Sequence, residues 1–250
     1  MTAIAGDLRP TPAATWRTPL VIVVCGCLIG MLTFGPRSTF GFFMQPMSRE
    51  FSWGRDVFGL ALAIQNLLWG IGQPIAGAVA DRFGALRVIS VGALLYAAGL
   101  ITMRYAATPL SLDLSAGVLI GFGLSGCSFN LVLSAFGKLM PAQWRGVALG
   151  AGTAAGSFGQ FLFAPFGVAM LDNFGWPTAL IVFAGLMLLV VPLSLALATP
   201  PSDSSAAAVA DQQSFKHALT EAFGHRSYVL LVLGFFTCGF QLALDRKSVV

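Results

Sequence analysis

Charge is what this chain has least of. Only 10% of its residues are Asp, Glu, Lys or Arg, where soluble domains carry roughly 25%, so most of its surface must meet lipid or another apolar helix. Acids are scarcest inside the long apolar runs. Asp56, Asp113 and Asp172 all fall at the ends of such runs, and a carboxylate proton relay buried within them is not expected. Histidine is limited to His217 and His225, both in a polar stretch. There is no metal-spaced His set, no Gly-rich phosphate loop, no nucleophile elbow and no catalytic pair of the kind an intramembrane enzyme needs. The four cysteines, Cys25, Cys27, Cys127 and Cys238, sit within apolar runs. Cys25 and Cys27 are two apart and point to different sides of a helix, so they do not chelate one ion. No metal, no cofactor and no enzymatic activity are expected.

What the chain has instead is hydrophobicity: 56% of its residues are apolar and the mean hydropathy is +0.82. The net charge of +4 points to nucleic acid in a soluble protein. In a chain this apolar it reflects basic loops at a membrane surface, so the expected partner is the lipid bilayer and not nucleic acid. The apolar run after Arg17 exceeds the roughly 7–15 residues of a signal-peptide core and has no small-x-small cleavage site before Arg37. It reads as a retained first span.

Taken in order, residues 1–18 form a polar tail and six apolar segments follow within 19–198, at about 19–43, 57–79, 88–106, 115–139, 147–171 and 177–198. Each approaches or exceeds the roughly 20 residues that cross a hydrocarbon core of about 30 Å. Residues 199–226 read as a Pro-, Ser- and Ala-rich flexible linker, and 227–250 hold a seventh span from about 227 to 244. With the N-terminus inside, Arg9, Arg17, Arg82, Arg87, Lys138, Arg145, Lys216 and Arg226 lie inside, against Arg49, Arg55 and Arg104 outside. The excess favours a cytoplasmic N-terminus.

The chain also repeats. Sliding it by 91 residues, Gly84 onto Gly175, brings Trp53 onto Trp144, Gly59 onto Gly150, Pro74 onto Pro165 and Asp81-Arg82-Phe83-Gly84 onto Asp172-Asn173-Phe174-Gly175. Two copies of a three-helix unit follow. Because three is odd, the second copy is inserted upside down.

The connection around which the rest is arranged is Gln73 to Arg87, QPIAGAVADRFGALR. Its charges must lie at the membrane surface, because burying them in hydrocarbon costs several kcal/mol each. The spacing Gly77-x-x-x-Asp81-Arg82-x-Gly84-x-x-Arg87 resembles the loop between helices 2 and 3 of the major facilitator superfamily, with Ala85 where a basic residue is usual. Segments such as Arg37–Met47 and Ala142–Gly146 are similar to the oxalate/formate and monocarboxylate transporter branch. The resemblance implies an all-α integral membrane fold: a six-helix N-terminal bundle with an inverted 3+3 repeat, followed by a seventh transmembrane helix. It also implies that Gly77, Asp81, Arg82, Gly84 and Arg87 help hold and release one access state, and that a C-terminal bundle is missing from a truncated chain.

Polarity divides the helices. Helices 3 and 6 carry almost nothing polar and are expected to face lipid all round, whereas helices 1, 2, 4 and 5 carry Arg37, Gln65, Asn66, Gln73, Ser125, Ser128, Asn130 and Gln160 and should line an interior. Arg37 in the outer half of helix 1 either recognises an organic anion through its planar fork, or reaches headgroups or an outer acid such as Glu50. Gln65, Asn66, Ser128, Asn130 and Gln160 either contact a solute or join helices, and Phe40, Phe129 and Phe161 are candidates to shape a cavity. Gly26/Gly30, Gly117/Gly121, Gly146/Gly150 and Gly152/Gly156 are spaced to let helix backbones approach closely.

The expected function is secondary active transport of a small solute, an organic anion or monocarboxylate, by alternating access in the inner (plasma) membrane. The alternatives are a structural or assembly subunit, a transporter of neutral metabolites or drugs, and an inactive truncated fragment.

Overall fold

The computed structural model describes residues 16–199, 223–234 and 236–237. The chain divides into two units, Met1–Pro201 and Ser202–Val250. The described residues contain helices and no strand: α1 (Pro19–Phe51), α2 (Arg55–Phe83), α3 (Ala85–Arg104), α4 (Pro109–Leu112), a π-helical segment (Asp113–Leu119), α5 (Ile120–Gly126), α6 (Phe129–Leu139), α7 (Ala142–Leu188), α8 (Val190–Ser194) and a closing 3₁₀ turn (Leu195–Leu197). Four stretches among them are long and apolar enough to cross a membrane: Pro19–Phe51, Ala85–Arg104, Pro109–Leu139 and Ala142–Leu197. The last is two spans, since α7 is non-helical at Gly175 (φ 76°, ψ 164°). With α2, which is long enough at 29 residues but diluted by its amides, six spans form the first unit. In the second unit the described part of the expected seventh span is helical at 226–234. The rest of that span and most of the linker lie outside the described residues.

The helices run past the membrane-length cores expected from the sequence. α1 continues from the expected end near Phe43 to Phe51, with Pro36 and Pro46 inside it, and closes on Ser52 in the left-handed region (φ 54°). The fourth span starts at Pro109, where Thr108 and Ser111 form a reciprocal N-terminal cap, and not near Ser115. It then breaks between α5 and α6, with Cys127 at φ −102°, ψ 25° and Ser128 at φ −63°, ψ 148°. No proline marks this break.

The two tightest hairpins occupy equivalent places in the repeat. Gly84 (φ 89°, ψ 146°) separates α2 from α3, and Gly175 separates the fifth span from the sixth. Both backbones lie where L side chains are strained, so the glycine of DRFG and that of DNFG serve the same purpose 91 residues apart. Contacts put them at opposite ends of the bundle. At the Gly84 end, Arg17 reaches the carbonyls of Ala196 (3.0 Å) and Ala198 (2.5 Å), and the Ala85 N–H donates to Thr199 Oγ1 (2.9 Å). At the Gly175 end, Trp176 Nε1 donates to Glu50 Oε2 (2.6 Å), and Phe51 stacks on Trp53 at 4.6 Å.

Packing corrects two expectations. Helix 3 does not face lipid all round: Ile89, Ala93, Tyr96 and Leu100 are fully buried on one face, and Gly92 meets Gly126 so closely that a Cβ on Gly92 would lie 2.7 Å from the Gly126 Cα. The sixth span likewise buries Ala179, Leu180, Phe183 and Met187, and Ser194 Oγ lies 2.9 Å from Ser90 Oγ of α3. Small residues on these helices are packing surface, which hydropathy alone does not reveal. The glycine pairs Gly26/Gly30 on α1 and Gly152/Gly156 on α7 do not bring backbones together but hold rings of α6. A Cβ on Gly26 would sit 2.3 Å from Phe136 Cζ and one on Gly152 3.1 Å from Phe136 Cε2, while Gly30 and Gly156 both face Phe129 at 3.9 Å. Gly117 and Gly121 do admit the backbone of α2, at 3.2 Å from Ala61 O and 3.1 Å from Gln65 O. Gly146 and Gly150 face open space.

Candidate functional site

The polar residues of α2 fall on one side of the helix. Asn66, Trp69 and Gln73 are three and four residues apart, which sets them above one another. Arg37 of α1 meets the upper end of this stripe. Its Nη2 donates to Asn66 Oδ1 (2.5 Å), and its guanidinium carbon lies 4.4 Å from the centroid of the Trp69 ring. Asn66 is oriented in turn by donating from Nδ2 to Leu62 O (2.8 Å). A planar cation on an indole face is held by the ring quadrupole and by stacking. Phe34, one turn before Arg37, packs edge-on against both Trp69 (6.1 Å) and Phe129 (6.0 Å). Lower down, Asn130 Nδ2 donates to Gln73 Oε1 (2.6 Å).

Arg37 is therefore turned into the bundle. The acid offered as its alternative partner, Glu50, accepts from Trp176 at the Gly175 end instead. Asn66 and Asn130 are exposed within the described structure.

Gln65 is a correction. It is 1% exposed, and its Nε2 donates to Ala116 O (2.8 Å) across the joint between α2 and the π-helical segment. Adjacent helix positions point about 100° apart, so Gln65 and Asn66 cannot both face the interior. Ser125 does the same job, with its Oγ within 3.2 Å of the Leu68, Trp69 and Gly121 carbonyls. Gln160 is half-buried; its main-chain carbonyl lies 3.5 Å from Ser38 Oγ. Ser128 is 3% exposed at the break in the fourth span. Of the three phenylalanines, Phe129 lies against the stripe, Phe40 is buried beside Phe43, and Phe161 is 73% exposed.

One residue that the sequence reading missed belongs to this site. Trp69 is the platform for Arg37, and its indole N–H is buried without a partner. Tyr96 of α3 is fully buried with its hydroxyl also unpartnered. A tryptophan three residues after Asn66 on a polar face is the signal that was available.

At the Gly84 end, Asp81 pairs with Lys138 at the end of α6 (2.5 Å), both side chains being well exposed. Arg82 lies 5.5 Å from the Phe83 ring centroid. Gly77 has open space where a Cβ would stand, and Arg87 is exposed. No group of three or more His, Cys, Asp or Glu suited to a metal occurs among the described residues.

Comparison with known proteins agrees with this architecture. The family model described as Major Facilitator Superfamily matches residues 26–244. A protein of Bacillus subtilis (strain 168) named as an uncharacterized MFS-type transporter, YcxA, is 27% identical over 244 residues, covering 97% of this chain and 59% of its own length. Monocarboxylate transporter 3 of Rattus norvegicus is 29% identical over 183 residues, covering 73% of this chain and 36% of its own. The chain thus spans about a third to three fifths of the length of these relatives, which are named as transporters and not as enzymes. Among solved structures, a D-xylose–proton symporter superposes with a TM-score of 0.52 at 22% identity, over 82% of this chain and 54% of that one. That likeness concerns the fold. Six apolar spans, an inverted repeat with matching glycine hairpins and a family model covering most of the sequence lead to one conclusion: this chain is a multi-pass membrane protein of the major facilitator superfamily.

Proposed function

We propose that the chain forms the N-terminal half of a secondary active transporter that moves a small organic anion, a monocarboxylate in the first instance, by alternating access. The observation that carries this reading is Arg37, seated on Trp69 and hydrogen-bonded to Asn66 at the head of a polar stripe. A guanidinium presents a planar fork of donors that matches a carboxylate. Asn66, Asn130, Ser128 and Gln160 are the further solute contacts in this reading, and the naming of relatives as monocarboxylate transporters supports the substrate class.

In this reading a second bundle, joined through the linker at 199–226, begins with the seventh span at 227–250. Gly77, Asp81, Arg82, Gly84 and Arg87 act as the gate at the cytoplasmic side. The basic residues Arg17, Arg82, Arg87, Lys138 and Arg145 collect at the Gly84 end. By the positive-inside rule that end, and with it the N-terminus, faces the cytoplasm across the inner (plasma) membrane.

A subunit role, in which polar groups only join helices, is favoured by the way Gln65 and Ser125 are used. Uptake decides between the two. Proteoliposomes holding the chain, or a form extended through the rest of its source reading frame, are tested with radiolabelled pyruvate, lactate, formate and oxalate. Saturable uptake by the extended form that is lost in Arg37→Ala, with folded protein retained, supports the reading. Uptake indifferent to Arg37→Ala removes Arg37 from it, and no carboxylate uptake by a folded extended form moves the substrate class to neutral solutes.

A further inference from the structure

The two glycine hairpins are equivalent in the repeat but are not held alike. Each precedes a span whose first N–H groups have no partner within that span. At the Gly175 end the second residue of the new span is Pro177, which has no N–H to satisfy. A Cβ on Gly175 would meet nothing nearer than Pro177 Cδ at 3.6 Å. At the Gly84 end the first residues are Ala85 and Leu86, and Gly84 offers α3 no side-chain cap. The Ala85 N–H is satisfied from 114 residues away, by Thr199 Oγ1 at 2.9 Å. Thr199 O also lies 2.9 Å from the place of a Cβ on Gly84.

Sliding the chain by 91 residues sets Thr108 on Thr199, but Thr108 Oγ1 accepts from within its own helix, from Ser111 N at 3.2 Å. The neighbouring bridge between the Ser90 and Ser194 hydroxyls (2.9 Å) falls on Ile181 and Met103 in the other copy, which cannot form it. The same hairpin is thus strapped at one end of the bundle and stands without a strap at the other. The strap is not what the hairpin needs in order to fold.

It is firmer than the contact beside it. Thr199 is 8% exposed, and losing its bond would leave an enclosed amide unsatisfied. Arg17 holds the same segment through the Ala196 and Ala198 carbonyls (3.0 and 2.5 Å). In the Asp81–Lys138 pair, by contrast, the side chains are 61% and 42% exposed, and so open a pair contributes too little to fix the turn. Asp81 stands three residues before Gly84, so the placing of Gly84 decides where its carboxylate can reach.

We propose that Thr199 is the positioning residue of the α2–α3 turn: with Arg17 it straps the end of the sixth span across Gly84 and keeps Asp81 within reach of Lys138. Releasing Ala85 from Thr199 frees the turn, and the ion pair parts with it. The inference rests on the reading of this turn as a gate, and adds what sets its paired position.

The test combines hydrogen exchange with acetylation of lysine, read by mass spectrometry on the purified full chain. Thr199→Val keeps the shape and removes the acceptor, Thr199→Ser keeps the acceptor, and Arg17→Ala loosens the segment without touching Thr199. Loss of the capping oxygen in Thr199→Val should speed exchange at residues 85–87 about fivefold and leave 176 and 178 unchanged. In the same protein Lys138 should be acetylated faster, at a rate approaching that in Asp81→Asn, where the ion pair is absent. Arg17→Ala should move both readings the same way to a smaller extent, and Thr199→Ser neither.

Faster exchange with Lys138 unchanged makes Thr199 a cap only and overturns the proposal. So does unchanged exchange in Thr199→Val, or an Asp81→Asn protein in which Lys138 reacts no faster. If Thr199→Val does not fold, Arg17→Ala decides by the same two readings. The gate reading is tested apart, by uptake: Asp81→Asn transporting like the unaltered extended form removes the gate, and the strap stands if both readings move as stated.

Discussion

Gly26→Ala gives the sharpest test of how the bundle is packed. An added Cβ would lie 2.3 Å from Phe136 Cζ and 2.4 Å from Cε1, where carbon atoms prefer roughly 3.5–4.0 Å. The deficit exceeds an ångström. The ring has little room to retreat: Phe136 is fully buried, and its opposite edge is 3.1 Å from the place of a Cβ on Gly152. Either α1 and α6 separate or Phe136 leaves its rotamer, and overpacking of this kind costs about 1–3 kcal/mol. The assay is the melting temperature of the detergent-purified protein, followed by the loss of its monodisperse size-exclusion peak. Gly26→Ala should lower it by several degrees. Phe136→Leu alone should also lower it, by loss of buried surface, and the double variant should be more stable than the sum of the two losses predicts. Additive losses, or a Gly26→Ala protein melting with the unaltered one, would refute the account in which these glycines hold aromatic rings.

Other outcomes follow from single contacts. Gly84→Ala and Gly175→Ala should each lose about 1–3 kcal/mol from backbone strain, with Gly84→Ala the worse because its Cβ would also lie 2.9 Å from Thr199 O, whereas Gly175 has nothing nearer than Pro177 Cδ at 3.6 Å; ranked melting temperatures check this. Arg17→Ala should speed hydrogen exchange at residues 195–199, since it removes the donors to the Ala196 and Ala198 carbonyls, at a cost of about 1–2 kcal/mol. Asp81→Asn should leave the melting temperature within a degree or two, because an ion pair this exposed contributes about 0–1 kcal/mol, yet should slow uptake by the extended form if the loop is a gate.

The spans were legible because the membrane imposes length and apolarity on them, and the repeat because Gly84 and Gly175 are needed at equivalent hairpins. The break at Cys127–Ser128 was not, since it carries no proline and the polar residues around it, Ser125, Ser128 and Asn130, were read as lining an interior. Assigning helices 3 and 6 wholly to lipid failed for a related reason. Hydropathy distinguishes water from hydrocarbon, but not hydrocarbon from a neighbouring helix, so the fit of Gly92 against Gly126 is invisible to it. At the candidate site, Arg37 and Asn66 were found from their polarity in an apolar setting. Gln65 has the same polarity but lies about 100° away around α2, where it meets Ala116 O. Composition cannot tell a solute contact from a joint between helices; helical phase can, once one member of the face is known. Trp69 escaped notice because an aromatic residue in a span is unremarked until a cation is found lying on it.

The central claim is that the stripe from Arg37 to Asn130 lines a solvent-reached interior. Its most direct test is thiol labelling of Asn66→Cys and Asn130→Cys, in a background with Cys25, Cys27, Cys127 and Cys238 replaced by serine or alanine and Gln65→Cys as the buried control. Membrane vesicles of both orientations are treated with a charged, impermeant maleimide, with and without pyruvate. The account predicts labelling at 66 and 130 from at least one side, slowed by pyruvate, and none at 65. Equal protection of all three positions from both sides would contradict it and leave these amides as joints between helices.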